Sequence, residues 1–214
     1  MSFDTLAPWY RSMEAVTAGG ILQRCRTTFL AQAKECRCAL LLGEGPGRFL
    51  VELLRVNPYV TVTCVEQSPR MIEEARRELK RSGLDAARVR FEPCDILNWR
   101  PERVEFDLVV THFFLDCFQR RELEELVAIV ASSTTADAVW LLADFRLPAT
   151  GWQRWRARAV LTLLYAFFRV TTGLSASRLT PPDEFLEGAG FRLAGRRLVN
   201  CGLTHSDLWS KVRA

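Results

Sequence analysis

Only two histidines, His112 and His205, occur in the 214 residues, and neither sits in a cluster of His, Asp and Glu with metal-ligand spacing. No metal is therefore expected. The seven cysteines (Cys25, Cys36, Cys38, Cys64, Cys94, Cys117 and Cys201) are odd in number and form no CxxC pair. Most stand in apolar surroundings, where a free thiol behaves as a small buried hydrophobe. A disulfide framework is thus not expected, and a reducing compartment is. There is no dense basic run; the net charge of +4 comes from arginines and lysines spread along the chain. That mild excess tolerates acidic ligands, but a nucleic-acid binder concentrates its cations on one face or in one run. The longest apolar stretch, Ala159 to Phe168, is interrupted by Thr162 and Tyr165 and is too short to span a bilayer. No stable membrane insertion is expected. The opening Met1-Ser2-Phe3-Asp4 lacks the basic-then-apolar pattern of a signal peptide, so a cytoplasmic location is expected. Repeats, low-complexity tracts and dividing linkers are missing too. The expectation is one domain over 1–214: a helical cap or lid at 1–35, a ligand-binding core at 36–145, and a substrate-side helix with a C-terminal hairpin at 146–214.

What is present is an alternation of short apolar runs with amphipathic segments. Trp9, Met13 and Val16 lie at helical spacing, Gly19-Gly20 interrupts, and Ile21, Leu22, Cys25 and Phe29 resume the stripe. This segment reads either as a cap on the core or as a lid hinged at the glycines. Cys38 to Leu42 has the continuous apolar character of a central parallel strand. The spacing of Phe49, Leu50, Leu53 and Leu54 predicts a helix, stopped at Asn57-Pro58. Val60 to Val65 is a β-branched strand, and Ser68-Pro69 opens a helix with an N-cap serine and a proline in the first turn. Further strands are expected at 88–91, 106–110 and 138–143, with helices at 119–132 and 151–170. Phe191 to Val199 and Leu203 to Val212 form an antiparallel hairpin through Asn200-Cys201-Gly202. The fold class is α/β: a doubly wound, Rossmann-like, seven-stranded and mostly parallel sheet with an antiparallel C-terminal edge and an N-terminal helical cap.

In such a sheet the ligand lies beyond the carboxyl ends of the strands, where strand order reverses. The polar punctuation falls there in order: Gly43-Glu44-Gly45-Pro46-Gly47, Glu66, Asp95, and Thr111 to Asp116. Alternating glycines let backbone N–H groups approach a ligand closely. Glu66 is an acceptor-only carboxylate able to take both hydroxyls of a ribose. Asp95 can accept from an exocyclic amine, with Met71 and Ile96 as apolar walls; alternatively it is a turn aspartate.

These residues carry a resemblance. The segment from about 36 to 145 resembles class I S-adenosylmethionine-dependent methyltransferases. Leu42-Gly43-Glu44-Gly45-Pro46-Gly47 matches their glycine-rich first motif, and Val65-Glu66-Gln67-Ser68-Pro69-Arg70-Met71 looks like their acidic second motif with its helix start. Cys94-Asp95-Ile96 is similar to the adenine-contacting segment, and Phe106-Asp107-Leu108-Val109-Val110 to the fourth strand. Phe3-Asp4-x-Leu6-Ala7-Pro8-x-Tyr10 is similar to the start of small-molecule methyltransferases of the ubiquinone-biosynthesis type. The resemblance implies S-adenosyl-L-methionine as cofactor, a small and apolar or aromatic substrate, and no nucleic acid. It implies a cofactor site of Tyr10, Gly43, Glu44, Gly45, Gly47, Glu66, Gln67, Ser68, Met71, Cys94, Asp95, Ile96, Thr111 and His112.

The sequence departs from that pattern in three places. Leu41 stands where an acidic residue is usual, and Glu44 fills a slot that is usually small or apolar; its charge either meets the cofactor's amino group or points to solvent. Thr111-His112-Phe113-Phe114 is not the Asn/Asp-Pro-Pro-Tyr/Phe signature associated with methylation of bases. His112 is the candidate catalytic base, or else a cofactor-side or packing histidine; Asp116, four residues on, is the candidate to orient it or contact substrate. Phe113, Phe114, Trp152, Trp155 and Tyr165 are candidates to line a substrate pocket, against the plainer reading that they are core. His205 reads as structural. Three alternatives stay open at this point. One is an NAD(P)-dependent oxidoreductase, although Arg48 stands where G-x-G-x-x-G needs a glycine and no Tyr-x-x-x-Lys pair occurs. Another is a non-catalytic S-adenosylmethionine-binding protein of the same fold. In the third, the 151–170 helix lies on a membrane surface instead of serving as a pocket wall or a homodimer contact.

Overall fold

The computed structural model describes residues 19–101, 104–172 and 179–212, the side chains of 164–172 apart. Its elements, in order, are α1 (Gly19–Thr27), β1 (Cys38–Leu42), α2 (Arg48–Val56), β2 (Thr61–Val65), α3 (Pro69–Arg81), β3 (Val89–Glu92), β4 (Phe106–His112), α4 (Arg120–Ser132), β5 (Thr134–Phe145), α5 (Gly151–Thr172), α6 (Asp183–Gly188), β6 (Phe191–Val199) and β7 (Thr204–Lys211). Seven strands form one sheet in the order β3-β2-β1-β4-β5-β7-β6. The first five are parallel, and β7 pairs antiparallel with both β5 and β6. The expected fold class therefore holds, edge hairpin included.

β1 is central because its side chains are apolar on both faces. Leu40 and Leu42 pack on one side with Val109, Trp140 and the α4 residues Leu126, Val127 and Val130. Ala39 and Leu41 pack on the other with Phe49, Leu50, Leu53 and Leu54 of α2. Successive strand residues point to opposite faces, so one five-residue strand feeds two cores. Each fully buried leucine contributes about 1.5–3 kcal/mol relative to exposure. Asp107 ties β4 to the start of β1, its carboxylate accepting the Arg37 and Cys38 N–H groups at 2.8 and 3.0 Å. Ser68 caps α3 by accepting the Met71 N–H at 3.2 Å, ahead of Pro69 in the first turn. Asn57 ends α2 as a buried amide with all its valences used: its NH2 donates to the Ala33 and Cys36 carbonyls, both at 2.7 Å, and its oxygen accepts from Tyr59 and Val60.

Several boundaries move. β4 runs on through Thr111 and His112, so these residues belong to a strand and not to the loop after it. β5 starts at Thr134, four residues before the apolar run at Ala138, because Thr134 pairs with Phe106 ahead of an irregularity between Phe106 and Leu108. Gly19 and Gly20, the first described residues, are helical; Trp9, Tyr10, Met13 and Val16 lie outside the described residues. The hairpin turn takes φ of 54° at Asn200, 54° at Cys201 and 77° at Gly202, a left-handed run that asparagine and glycine tolerate better than most residues. His205 is 4% exposed, with Nδ1 3.0 Å from the fully buried Asp207 carboxylate. Burial alone would raise the Asp207 carboxyl, but hydrogen bonds from Arg196 at 2.8 and 2.6 Å and the His205 contact hold it below the usual range. His205 thus belongs to a structural network under the sheet edge. All seven cysteines are free thiols.

Candidate active site

Strand order reverses between β1 and β4, the two neighbours at the sheet centre that lead outward in opposite directions. The loop after β1 is therefore at the switch point. Gly43, Gly45 and Gly47 take φ of 61°, 67° and 84°, all in the left-handed region that glycine enters without a Cβ penalty. A Cβ on Gly43 would lie 2.1 Å from Cδ2 of Phe114, and one on Gly47 3.0 Å from Cα of Ala75 in α3. Gly45 has open space beside it. The first and third glycines thus let neighbouring groups close in, and the second leaves room.

Two carboxylates organise this turn. Glu66, one residue past β2, accepts the Gly45 N–H through Oε2 at 3.2 Å and the Ser68 N–H through Oε1 at 2.9 Å. It links the loops after β1 and β2. Glu44 turns the other way. Its Oε1 accepts the N–H groups of Phe49 and Leu50 at 2.8 and 2.9 Å, filling the N-terminus of α2. Burial raises its carboxyl to about 7, and the Glu66 charge adds to the rise; the two N–H donors and the field of Arg26 oppose it. Glu44 thus reaches the start of α2 through Oε1. An unfilled helix N-terminus attracts an anion, and this side chain meets that need.

The remaining predicted residues divide. Gln67 is exposed, Ser68 and Met71 are buried at the start of α3, and Cys94 and Asp95 are half-buried beyond β3 with Ile96 buried behind them. Asp95 also makes a local turn, its Oδ1 accepting the Leu97 N–H at 3.1 Å. Thr111 is fully buried and its hydroxyl accepts the Trp140 indole N–H at 2.8 Å. Its side chain faces the core from within β4. His112 is 8% exposed and meets the Phe49 ring edge-on at 4.5 Å. Its Nδ1 is buried without a hydrogen-bond partner. Burial first, and the Arg26 charge second, hold its pKa well below 6.5, so the ring is neutral at neutral pH.

Phe113 takes φ of 54° and lies against Phe145 at 5.2 Å, while Phe114 stacks edge-on with Phe118 at 5.1 Å. Asp116 is 6% exposed; its N–H donates to Oδ2 of Asp144 at 3.1 Å. Asp144, 2% exposed at the end of β5, has a carboxyl raised well above 3.8 by burial and then by the Asp116 charge. Trp152 and Trp155 are 65% and 73% exposed and do not line a pocket with the phenylalanines. α5 faces the protein with Ala157 and Leu161, which leaves both tryptophans on the far side at 100° per residue. Tyr10 lies outside the described residues, as does the side chain of Tyr165.

Sequence reasoning missed Arg26. It comes from α1, is 8% exposed, holds its guanidinium carbon 5.2 Å from the Phe113 ring centre, and puts its field on Glu44 and His112. Nothing local marks an arginine of a cap helix as buried. Asp144 was findable: it follows an apolar strand just as Glu66 and Asp95 do. Among the described residues, no group of three His, Cys, Asp or Glu is placed to hold a metal ion.

Residues 39–137 match the family model described as "Methyltransferase domain". A malonyl-[acyl-carrier protein] O-methyltransferase of a Paenibacillus species is 32% identical over 120 residues, 55% of this chain and 40% of that one. The chain thus spans less than half the length of that curated relative. Among solved structures, an O-methyltransferase family protein from Burkholderia thailandensis has a TM-score of 0.72 at 18% identity, over 97% of this chain and 60% of that one. Magnesium protoporphyrin IX methyltransferase from Synechocystis, with bound S-adenosylhomocysteine, has a TM-score of 0.71 at 15% identity, over 98% and 95%. A Burkholderia thailandensis 1,6-didemethyltoxoflavin-N1-methyltransferase, with bound 1,6-didemethyltoxoflavin and S-adenosylhomocysteine, has a TM-score of 0.67 at 18% identity, over 98% and 86%. Residues 39–137 are thus similar to a methyltransferase domain, in a chain that has the fold of these solved methyltransferases.

Proposed function

We propose that this protein transfers a methyl group from S-adenosyl-L-methionine to a small, apolar or aromatic molecule, in the cytoplasm and without nucleic acid as substrate. The observation that carries the reading is the division of labour between Glu44 and Glu66. A dinucleotide would place its pyrophosphate on the N–H groups at the start of α2. Glu44 already accepts from Phe49 and Leu50 there, so those donors are occupied. Glu66, which accepts the Gly45 N–H, is an acceptor-only carboxylate of the kind that binds a diol. A nucleoside without phosphate fits that donor and acceptor set, and a nicotinamide dinucleotide does not.

Bound S-adenosylmethionine supplies a methyl group on a positively charged sulfur, which any well-aligned nucleophile can take. The residues of the chain hold and align. Glu66 would take the ribose hydroxyls, Asp95 the exocyclic amine of the adenine, and Met71 and Ile96 the faces of the ring. The neutral His112, with its orphaned Nδ1, would serve as a hydrogen-bonding group of the site. Its depressed pKa makes it a weak proton acceptor near neutrality, since an effective base titrates near the working pH. Phe113 and Phe114 would form the apolar side. In-line transfer then rests on positioning and on exclusion of water.

Titration calorimetry with S-adenosylmethionine, S-adenosylhomocysteine and NADH tests the cofactor. Saturable binding of the first two and none of the third is expected; binding of NADH alone would overturn the reading. Transfer of a labelled methyl group into fractions of a metabolite extract then tests catalysis, and cofactor binding with no labelled product in any fraction would leave a binding protein of the same fold.

A further inference from the structure

α5 carries four arginines, Arg154, Arg156, Arg158 and Arg169, and no Asp or Glu in 22 residues. Its buried side is small: Ala157 and Leu161 pack with Leu203. On the opposite side Trp152, Trp155, Ala159 and Leu163 recur with helical spacing and form one outward stripe. Trp152 is 65% exposed, Trp155 73% and Leu163 73%. Two tryptophans and a leucine in a row on a helix that already has a buried face are not there for the fold. Arg156 and Arg158 flank the stripe. Arg154 donates to the Pro148 and Ala149 carbonyls, and Arg156 to the carbonyl and side-chain oxygens of Asn200. All these acceptors are neutral, and among the described residues none of Arg154, Arg156 and Arg158 pairs with a carboxylate. The helix thus presents an apolar stripe bordered by uncompensated positive charge.

We propose that α5 is a docking helix for an anionic lipid surface, on which it lies with Trp152, Trp155 and Leu163 at headgroup depth. This stands apart from the methyl-transfer reading and does not depend on it. The charge decides the occupant. A second copy of the chain placed symmetrically on this face would bring arginines against arginines with no acid to offset them. A neutral apolar partner would leave those cations without counter-charges. An anionic bilayer interface satisfies both features at once, because indole rings settle at headgroup level while arginine stems extend along the helix to the phosphates. No helix among the described residues is long and apolar enough to cross a membrane, so α5 lies on the surface.

The test is flotation of the full chain with phosphatidylcholine vesicles that contain or lack phosphatidylglycerol, at low and high salt. Binding to the anionic vesicles is expected, with a fall as salt rises and little binding to the neutral ones. Basic residues near an anionic surface contribute about 1 kcal/mol each, so the charge reversal Arg158→Glu should weaken binding at least tenfold. Trp152→Ser with Trp155→Ser should do the same at unchanged net charge. Both variants alter exposed positions and should melt with the wild type, which separates lost docking from lost fold. Equal binding to neutral and anionic vesicles, no vesicle binding, or variants that bind like the wild type would overturn the proposal. So would a dimer in light scattering that the tryptophan variant dissociates, since α5 would then be an interface between copies.

Discussion

Glu66 and Gly45 meet across the turn that follows β1: the carboxylate of the one accepts the backbone N–H of the other at 3.2 Å. The contact fastens the end of β2 to the middle of the glycine loop, where a Cβ on Gly45 would meet nothing within 4 Å. Its neighbour Glu44 faces away and caps α2. Two acids of the same type, Glu44 two residues past β1 and Glu66 one residue past β2, thus make separate contacts, the first with the start of α2 and the second with the loops after β1 and β2.

Replacing Glu66 with alanine should weaken S-adenosylhomocysteine binding by about ten- to a hundredfold, because each hydrogen bond to a charged group is worth about 1.5–3 kcal/mol. Glu66→Gln keeps an acceptor and should lose less. Calorimetric dissociation constants check this, and an unchanged value for the alanine variant would remove Glu66 from the cofactor site.

Glu44 has a direct pH signature. The folded protein holds its proton up to about pH 7, against a reference value of 4.5. Across that window the folded state binds more protons than the unfolded state, so this group's contribution to stability falls as pH rises and is largest below pH 4.5. Glu44→Gln keeps an oxygen for Phe49 and Leu50 and carries no charge, so urea midpoints of this variant should slope less between pH 5 and pH 8. Glu44→Ala should cost about 1 kcal/mol through loss of the cap. A wild-type slope in the glutamine variant would count against the buried titration.

Gly43→Ala brings a Cβ to within 2.1 Å of the Phe114 ring and keeps φ at 61°. The ring must move, and a cost of about 1–3 kcal/mol is expected from overpacking. Adding Phe114→Ala relieves the clash and should restore part of the melting temperature, though not the part due to backbone strain. If the double variant melts no higher than Gly43→Ala, the ring contact is not what makes glycine necessary.

His112, held neutral by burial and then by Arg26, should add no limb near pH 6.5 to a pH–rate profile. Below 6.5 the unfolded chain takes up a proton that the folded site refuses, so this group's contribution to stability is lost as pH falls. Arg26→Gln removes the smaller of the two causes and should move the His112 titration upward by NMR. An unshifted resonance would separate the two residues electrostatically.

The strands, the helices α2 to α4 and the hairpin were legible because period and punctuation are local: Leu40 to Leu42, Ser68-Pro69 and Asn200-Cys201-Gly202 each carry their own signal. The glycine turn and Glu66 were legible for the same reason, since an acid just after a β-branched run can only stand at a strand end. β5 was read short at its start because Thr134 joins the sheet through pairing with Phe106, a partner remote in sequence.

What the sequence by itself determined is the sheet, its ligand edge, and the identity of the groups placed on that edge, because alternation of apolar runs with turn residues dictates which backbone lies where. Only the tertiary structure decided what each side chain faces. Glu44 caps α2 because that helix begins within its reach. Thr111 belongs to Trp140 because β4 runs past it, Arg26 enters the site because α1 packs there, and Trp152 and Trp155 look outward because Ala157 and Leu161 take the inner face of α5. Spacing along the chain records periodicity; direction in space depends on the neighbours that folding brings together, and those neighbours are distant in sequence.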